Sequence, residues 1–198
     1  MKKIFKILTV IFLATISLVL ILLSINIFRY QKWEKSFESN LENISIENIP
    51  VEIEEKISQF VNSSEKNDFV EFSKTEMTTI LGVVLNKSLE GIEIKNIHLE
   101  TAQGKWKIFV KTKVGDFNVP WIAFDIIKDN METAQVYVGS IYIGDYNITD
   151  YLPKNSINDI NKGISDAIIL FNENLFSKRY IQNIELEDTN VVIKGVLY

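Results

Sequence analysis

The sequence predicts an α+β protein: a single N-terminal transmembrane helix, then one domain with a curved, mostly antiparallel sheet packed by about three amphipathic helices. Three observations predict it. The 22 residues Ile7–Phe28 carry no charge. Three later segments place apolar residues at helical spacing. From Leu89 onward the apolar period changes to two.

The uncharged run is the first element. At 1.5 Å per residue it spans about 33 Å, matching a hydrocarbon core of roughly 30 Å. A cleaved signal would have a shorter apolar region ending in a small-x-small site. Here the nearest small residues, Ala14 and Ser17, lie in mid-run, so a retained anchor is expected. Residues 1–6 form a basic cytoplasmic head and residues 29–49 a juxtamembrane stalk, with Tyr30 and Trp33 placed for the headgroup belt. The folded domain, residues 50–198, is expected outside a bacterial cell membrane.

After Pro50, Ile53, Ile57, Phe60 and Val61 define a short amphipathic helix. FVEFS (Phe69–Ser73) reads as a strand. Ser73 and Glu76 form a capping box, opening a helix over about 74–86 that buries Met77, Ile80, Leu81 and Val84. Strands follow at about 91–100, 105–114, 119–127 and 132–143, turning at TAQG, VGDFN and KDN. Pro120, which donates no ladder bond, suits an edge or a strand start. Ser156 and Asp159 form a second capping box. The helix they open carries Ile157, Ile160, Ile164, Ala167, Ile168, Phe171 and Leu175 on one face. Strands at about 180–187 and 190–197 close the chain.

Charge and composition exclude several functions. Residues 36–198 hold 15 basic and 25 acidic groups, a charge of −10. Nucleic acid, whose binding rests on phosphate neutralisation, is not an expected partner. With no cysteine, disulfides, thiolate metal sites and cysteine nucleophiles are excluded. His98 is the only histidine, and no G-x-S-x-G elbow, P-loop or zinc motif occurs. Asp145 and Asp150, beside Tyr146 and Tyr151, are the only visible carboxylate pair for sugar chemistry, but both also suit turns. Four N-x-[ST] sites (Asn43, Asn62, Asn86, Asn147) are chance occurrences in an Asn-rich chain. The sequence predicts no enzyme, metal or cofactor.

The strands do carry a signal. In VPWIAFDI and VYVGSIYI both faces are apolar, so both need cover. A filled core, a protein interface or a ligand groove all satisfy that need. The groove reading names Trp106, Phe109, Trp121, Phe124, Tyr137, Tyr142, Ile164, Ile168 and Phe171 as lining residues. Lys105, Lys107, Lys111 and Lys113 alternate along one strand. They form either its solvent face or a basic strip for lipid headgroups.

Two stretches, FSKTEMTTILGVVLN and VYVGSIYIGDYNITDYLP with its Gly139, Gly144, Leu152 and Pro153, resemble the YpmS-like family of membrane-anchored envelope proteins. Their layout is in turn similar to tubular lipid-binding domains. The resemblance implies binding of a membrane lipid or lipid-linked envelope molecule, without catalysis. The alternative is a membrane-tethered subunit that binds a protein partner within an assembly for secretion, division or wall building.

Overall fold

A computed structural model describes the backbone of residues 2–41, 44, 46–88, 91–102, 104–130, 132–174 and 178–198, and their side chains except 2–14, 88, 102, 167 and 170–174. Leu89, Gln103, Asn43 and Leu175, and the side chains of Ala167 and Phe171, therefore lie outside the described residues. The chain divides into two units, Met1–Leu41 and Glu42–Tyr198.

The first unit is one helix, α1 (Lys2–Glu38). It continues through the first part of the expected stalk because nothing breaks it. Trp33 stacks on Phe37 at 4.9 Å between ring centroids and lies 5.8 Å from Tyr30. The Tyr30 hydroxyl donates to Glu34 at 3.2 Å. These are the (i, i+3) and (i, i+4) pairs that support a helix. Among the described residues no helix is long and apolar enough to cross a membrane. The described side chains of α1 begin at Thr15, whereas its uncharged run begins at Ile7.

The second unit is α+β, and all its strand pairings are antiparallel. Its elements are α2 (Val51–Asn62), β1 (Asn67–Ser73), α3 (Lys74–Ser88), β2 (Ile92–Ala102), β3 (Lys105–Val114), β4 (Phe117–Asn118), β5 (Ile122–Ile127), β6 (Tyr137–Ile143), β7 (Tyr146–Asn147), α4 (Ser156–Asn174), β8 (Arg179–Leu186) and β9 (Asn190–Leu197). The strands form two sheets, not the single one expected. One has the order β1-β9-β8; the other runs β2-β3-β5-β6-β7, with β4 beside β3.

Two strands are shorter than their periodicity suggested. Asn130 accepts the Glu132 amide through its side chain and the Thr133 amide through its carbonyl, so an Asx turn removes the first residues of the expected 132–143 strand. Pro120 interrupts the ladder, and β5 starts only at Ile122. The helices follow the pattern more closely. The capping box at α3 is present: the Glu76 amide donates to Ser73 Oγ at 3.2 Å and the Ser73 amide to Glu76 Oε2 at 2.8 Å. At α4 the helix begins at Ser156 itself, one residue earlier than a capping box with Ser156 as its N-cap requires.

One apolar core runs through both sheets. It joins Ile53, Phe60, Val70 and Phe72 to Leu99, Trp106, Ile126, Val138 and Ile141. Helix α3 touches β1, β2 and β9, so Thr78 and Val83 are buried along with Met77 and Ile80. Gly82 allows the approach to β2: a Cβ there would lie 3.1 Å from Ile97 Cγ2 and would also meet Ile46.

The turn between β8 and β9 fastens the two sheets. The Trp106 indole donates to the Glu187 carbonyl at 3.2 Å, and the Gly104 amide to Asp188 Oδ1 at 3.0 Å. The Thr101 hydroxyl reaches the Asp188 carbonyl. The Lys74 amide donates to the Thr189 carbonyl at 3.0 Å. A second tie comes from Lys128, which donates to Asn183 Oδ1 and the Ile184 carbonyl.

The outer edge of β6 is closed by side chains. Asn161 of α4 accepts the Val138 amide at 2.7 Å and donates to the Val138 carbonyl at 3.2 Å. Thr149 does the same for Ile141, at 2.9 and 3.4 Å. Both mimic a neighbouring strand at an otherwise open edge.

Arg179, 0% exposed, locks α2 to the small sheet. Its Nη2 donates to the carbonyls of Ser63 and Glu65 at 2.8 and 2.7 Å, and Nη1 to that of Gly195 at 3.3 Å. Its guanidinium carbon lies 5.2 Å from the Phe60 ring centroid. A cation just past the C-terminus of α2, at Ser63 and Glu65, also complements the helix dipole. Gly195 is part of the same packing, because a Cβ there would stand 2.7 Å from Phe60 Cζ. Replacing Arg179 by Met keeps the stem, strips the Ser63 and Glu65 carbonyls of this donor and leaves that of Gly195 with only its ladder bond to β1. Urea unfolding of Arg179→Met is expected to show a loss of about 3 kcal/mol, and a loss under about 1 kcal/mol would show that water takes over the carbonyls.

Candidate functional site

The pairing register divides the strand residues of the expected groove between opposite faces of the large sheet. Trp106 and Phe124 lie on the face of the large sheet that also carries Leu99, Ile108, Ile126 and Ile141. Ile164 and Ile168 of α4 pack into this same core. Phe109, Ala123 and Tyr142 are cross-strand neighbours on the opposite face. Trp121, just before β5, has the side-chain parity of Ala123. Tyr137 pairs with Ile127. Trp106, Phe109 and Trp121 are 4%, 5% and 0% exposed. The alternation was legible in the sequence; the burial of both faces was legible too; which faces met one another was not.

The four lysines are largely matched by local charge or rings. Lys107 Nζ lies 3.4 Å from Asp125 Oδ1 and 3.8 Å from the Tyr142 ring centroid. The Tyr142 hydroxyl donates to Asp125 Oδ2 at 2.6 Å, and this bond holds the phenol above its ordinary pKa. Lys111 stands 5.8 Å from the Trp121 ring. Lys113 is opposite Glu93, which also pairs with Lys95. Lys105 is exposed. The alternating lysines are thus interleaved with the carboxylates of Asp125 and Glu93.

A surface groove of about 660 Å³ lies elsewhere, between α2 and β1. Lys56, Gln59, Phe60 and Ser63 form its helical wall, and Asp68–Glu71 with Ser73 its strand wall. Glu76 and Asn190 complete it. The local sequence explains this arrangement. Val70 and Phe72 turn into the core, while Phe69, Glu71 and Ser73 are exposed. Ile53 and Phe60 are the buried residues of α2, and Phe60 reaches the groove beside the more exposed Lys56 and Gln59.

The groove's charges are organised. Lys56 Nζ lies 2.7 Å from Glu76 Oε1. Burial raises the pKa of Glu76, but hydrogen bonds from Lys56 and Ser73 outweigh it and hold the carboxyl below its ordinary range. Asp68 is also held low, by hydrogen bonds from Ser63 and the Phe69 amide. Asn190 donates to Glu71. Sequence reasoning missed this site, since Glu71 reads as one exposed residue of the short strand FVEFS. The signal available was a short alternating strand directly after a helix rich in charge.

Other chemistry is sparse. Among the described residues no group of three or more His, Asp or Glu could hold a metal. His98 packs 6.2 Å from Phe109. Asp145 and Asp150 are exposed, and the rings of Tyr146 and Tyr151 stack at 6.5 Å beside them. Comparison with protein-family models, with curated proteins and with solved structures gives no match.

Because Glu76 is held below its ordinary pKa, its contribution to stability is present above the glutamate range. It is lost as pH falls through the lowered value. The urea midpoint of Glu76→Gln should therefore change less than that of the parent between about pH 6 and pH 3, starting from a lower value. Equal slopes would mean that the carboxylate contributes nothing.

Proposed function

We propose that this chain is a membrane-tethered, non-catalytic interaction module, with α1 as its anchor and the unit from Glu42 as its binding domain. The observation that carries the tether is the surface of α1. Leu18 to Leu23 are consecutive and each about half exposed or more. A helix apolar on all sides finds no aqueous resting place. The short basic head supports a cytoplasmic N-terminus, which leaves the binding domain at the outer face of a cell membrane.

The interaction reading is supported by where surface is open. The strand faces expected to hold a greasy ligand carry buried aromatics, whereas the groove beside β1 is accessible and mixed in character. The partner in this reading is a protein of an envelope assembly. Exposed Phe117, Tyr146 and Tyr151 favour a second reading, contact with membrane lipid, which is also what the resemblance to the YpmS-like family implies.

Membrane fractionation tests the tether: the full chain should stay with membranes through an alkaline carbonate wash, and a chain lacking residues 2–28 should not. Photo-crosslinking in those membranes with a probe at Gln59 should capture a discrete protein. Native mass spectrometry that finds one tightly held lipid per chain, with no crosslinked protein, would favour the second reading.

A further inference from the structure

The groove has a property that its side chains alone do not reveal, and it rests on the interaction reading above. β1 is an edge strand whose one partner among the described residues is β9. The ladder's phase is fixed at both ends: the Leu197 amide donates to the Lys66 carbonyl, and the Lys74 amide to the Thr189 carbonyl, each at 3.0 Å. Even-numbered residues of β1 therefore bond β9. The amides and carbonyls of Phe69, Glu71 and Ser73 point the other way, along the groove.

Part of that outward row is already capped. The Phe69 amide donates to Asp68 and the Ser73 amide to Glu76. Lys56 Nζ sits 3.5 Å from the Glu71 carbonyl. The Phe69 carbonyl and the Glu71 amide have no such cap among the described residues. They are adjacent on the same side of the strand, one acceptor and one donor, as an incoming strand requires. Beside them stand Phe69, 58% exposed, and the carboxylates of Asp68, Glu71 and Glu76; Lys56 is the lining lysine and buried Arg179 lies behind Asp68, so three acids face two cations.

We infer that this edge binds an extended, basic segment of a partner protein by strand addition, with α2 as the opposite wall. Main-chain bonds to Phe69 and Glu71 supply the register, and an apolar side chain of the segment rests on Phe69. Its lysine or arginine side chains meet the groove carboxylates within a unit whose net charge is itself strongly negative.

The probe is a fluorescent ten-residue peptide alternating lysine and valine, titrated into the full chain in non-ionic detergent. Saturable binding is expected, with slowed amide exchange confined to residues 67–73. A peptide with glutamate for lysine should not bind. Glu71→Pro removes the outward amide but no bond to β9, because edge strands tolerate proline there. It should weaken binding about tenfold or more, corresponding to about 1.4 kcal/mol or more, while Glu71→Gln should weaken it less. Exchange protection in the parent keeps the test decisive if Glu71→Pro fails to fold.

Absence of saturable binding, or protection outside β1, overturns the inference. So does a dimer of the parent chain that Glu71→Pro dissolves, since the occupant would then be a second copy. If Glu71→Pro leaves the Gln59 crosslink to the membrane partner intact, the strand-addition site falls and the interaction module stands. If neither chain captures a protein, the module reading itself falls.

Discussion

The turn Glu187–Thr189 is the constraint on which the rest of the binding unit depends. Three elements address hydrogen bonds to it: the β2–β3 end through Thr101, Gly104 and Trp106, and α3 through the Lys74 amide. The two sheets have no strand pairing in common. Their relation is set by this turn, by Lys128 at the β8 bulge, and by a core that both contribute to. Carbonyls are suited to the task, since each accepts from several directions and none needs to ionise. The same turn positions the start of α3, and with it Glu76 and one end of the groove.

Arg179 is the second fastening. Burying a charge is costly unless hydrogen bonds replace its water. Arg179 is compensated by three carbonyls and by the nearby Asp68, 3.8 Å from Nη2. The effect is geometric as well as energetic. A guanidinium fork fixes both distance and angle, so α2 is held at one spacing from β8 and β9. The groove between α2 and β1 exists because that spacing is fixed.

Much of the architecture was readable in the sequence. The capping box at Ser73 and Glu76, the helices after Pro50 and Ser156, and the alternation of Lys105–Val114 all describe local physics, and local physics decides them. The division into two sheets was not readable, because a period of two says which residues share a face and not which strand lies beside it. Residues expected to line one groove divide between two faces for that reason. Trp106 and Phe109 are three residues apart on one strand and point to opposite faces. The turn at Lys128–Asn130 was expected, but its extension past Glu132 was not, because Ala134, Val136 and Val138 carry the alternation back ahead of the strand's start at Tyr137. Gly195 and Gly82 gave no signal, since the side chains that need their missing Cβ come from distant segments.

Asn161 and Thr149 carry a consequence of another kind. They close β6 from outside the strand, and Asn161 belongs to a helix. Undocking of α4 would therefore uncover more than an apolar face: it would also bare the Val138 amide and carbonyl on a flank of the six-stranded sheet. Such a flank is a template for other chains. Lifting of one helix is a local event that can occur far below the melting temperature. Clamping α4 would slow aggregation without necessarily raising the global transition.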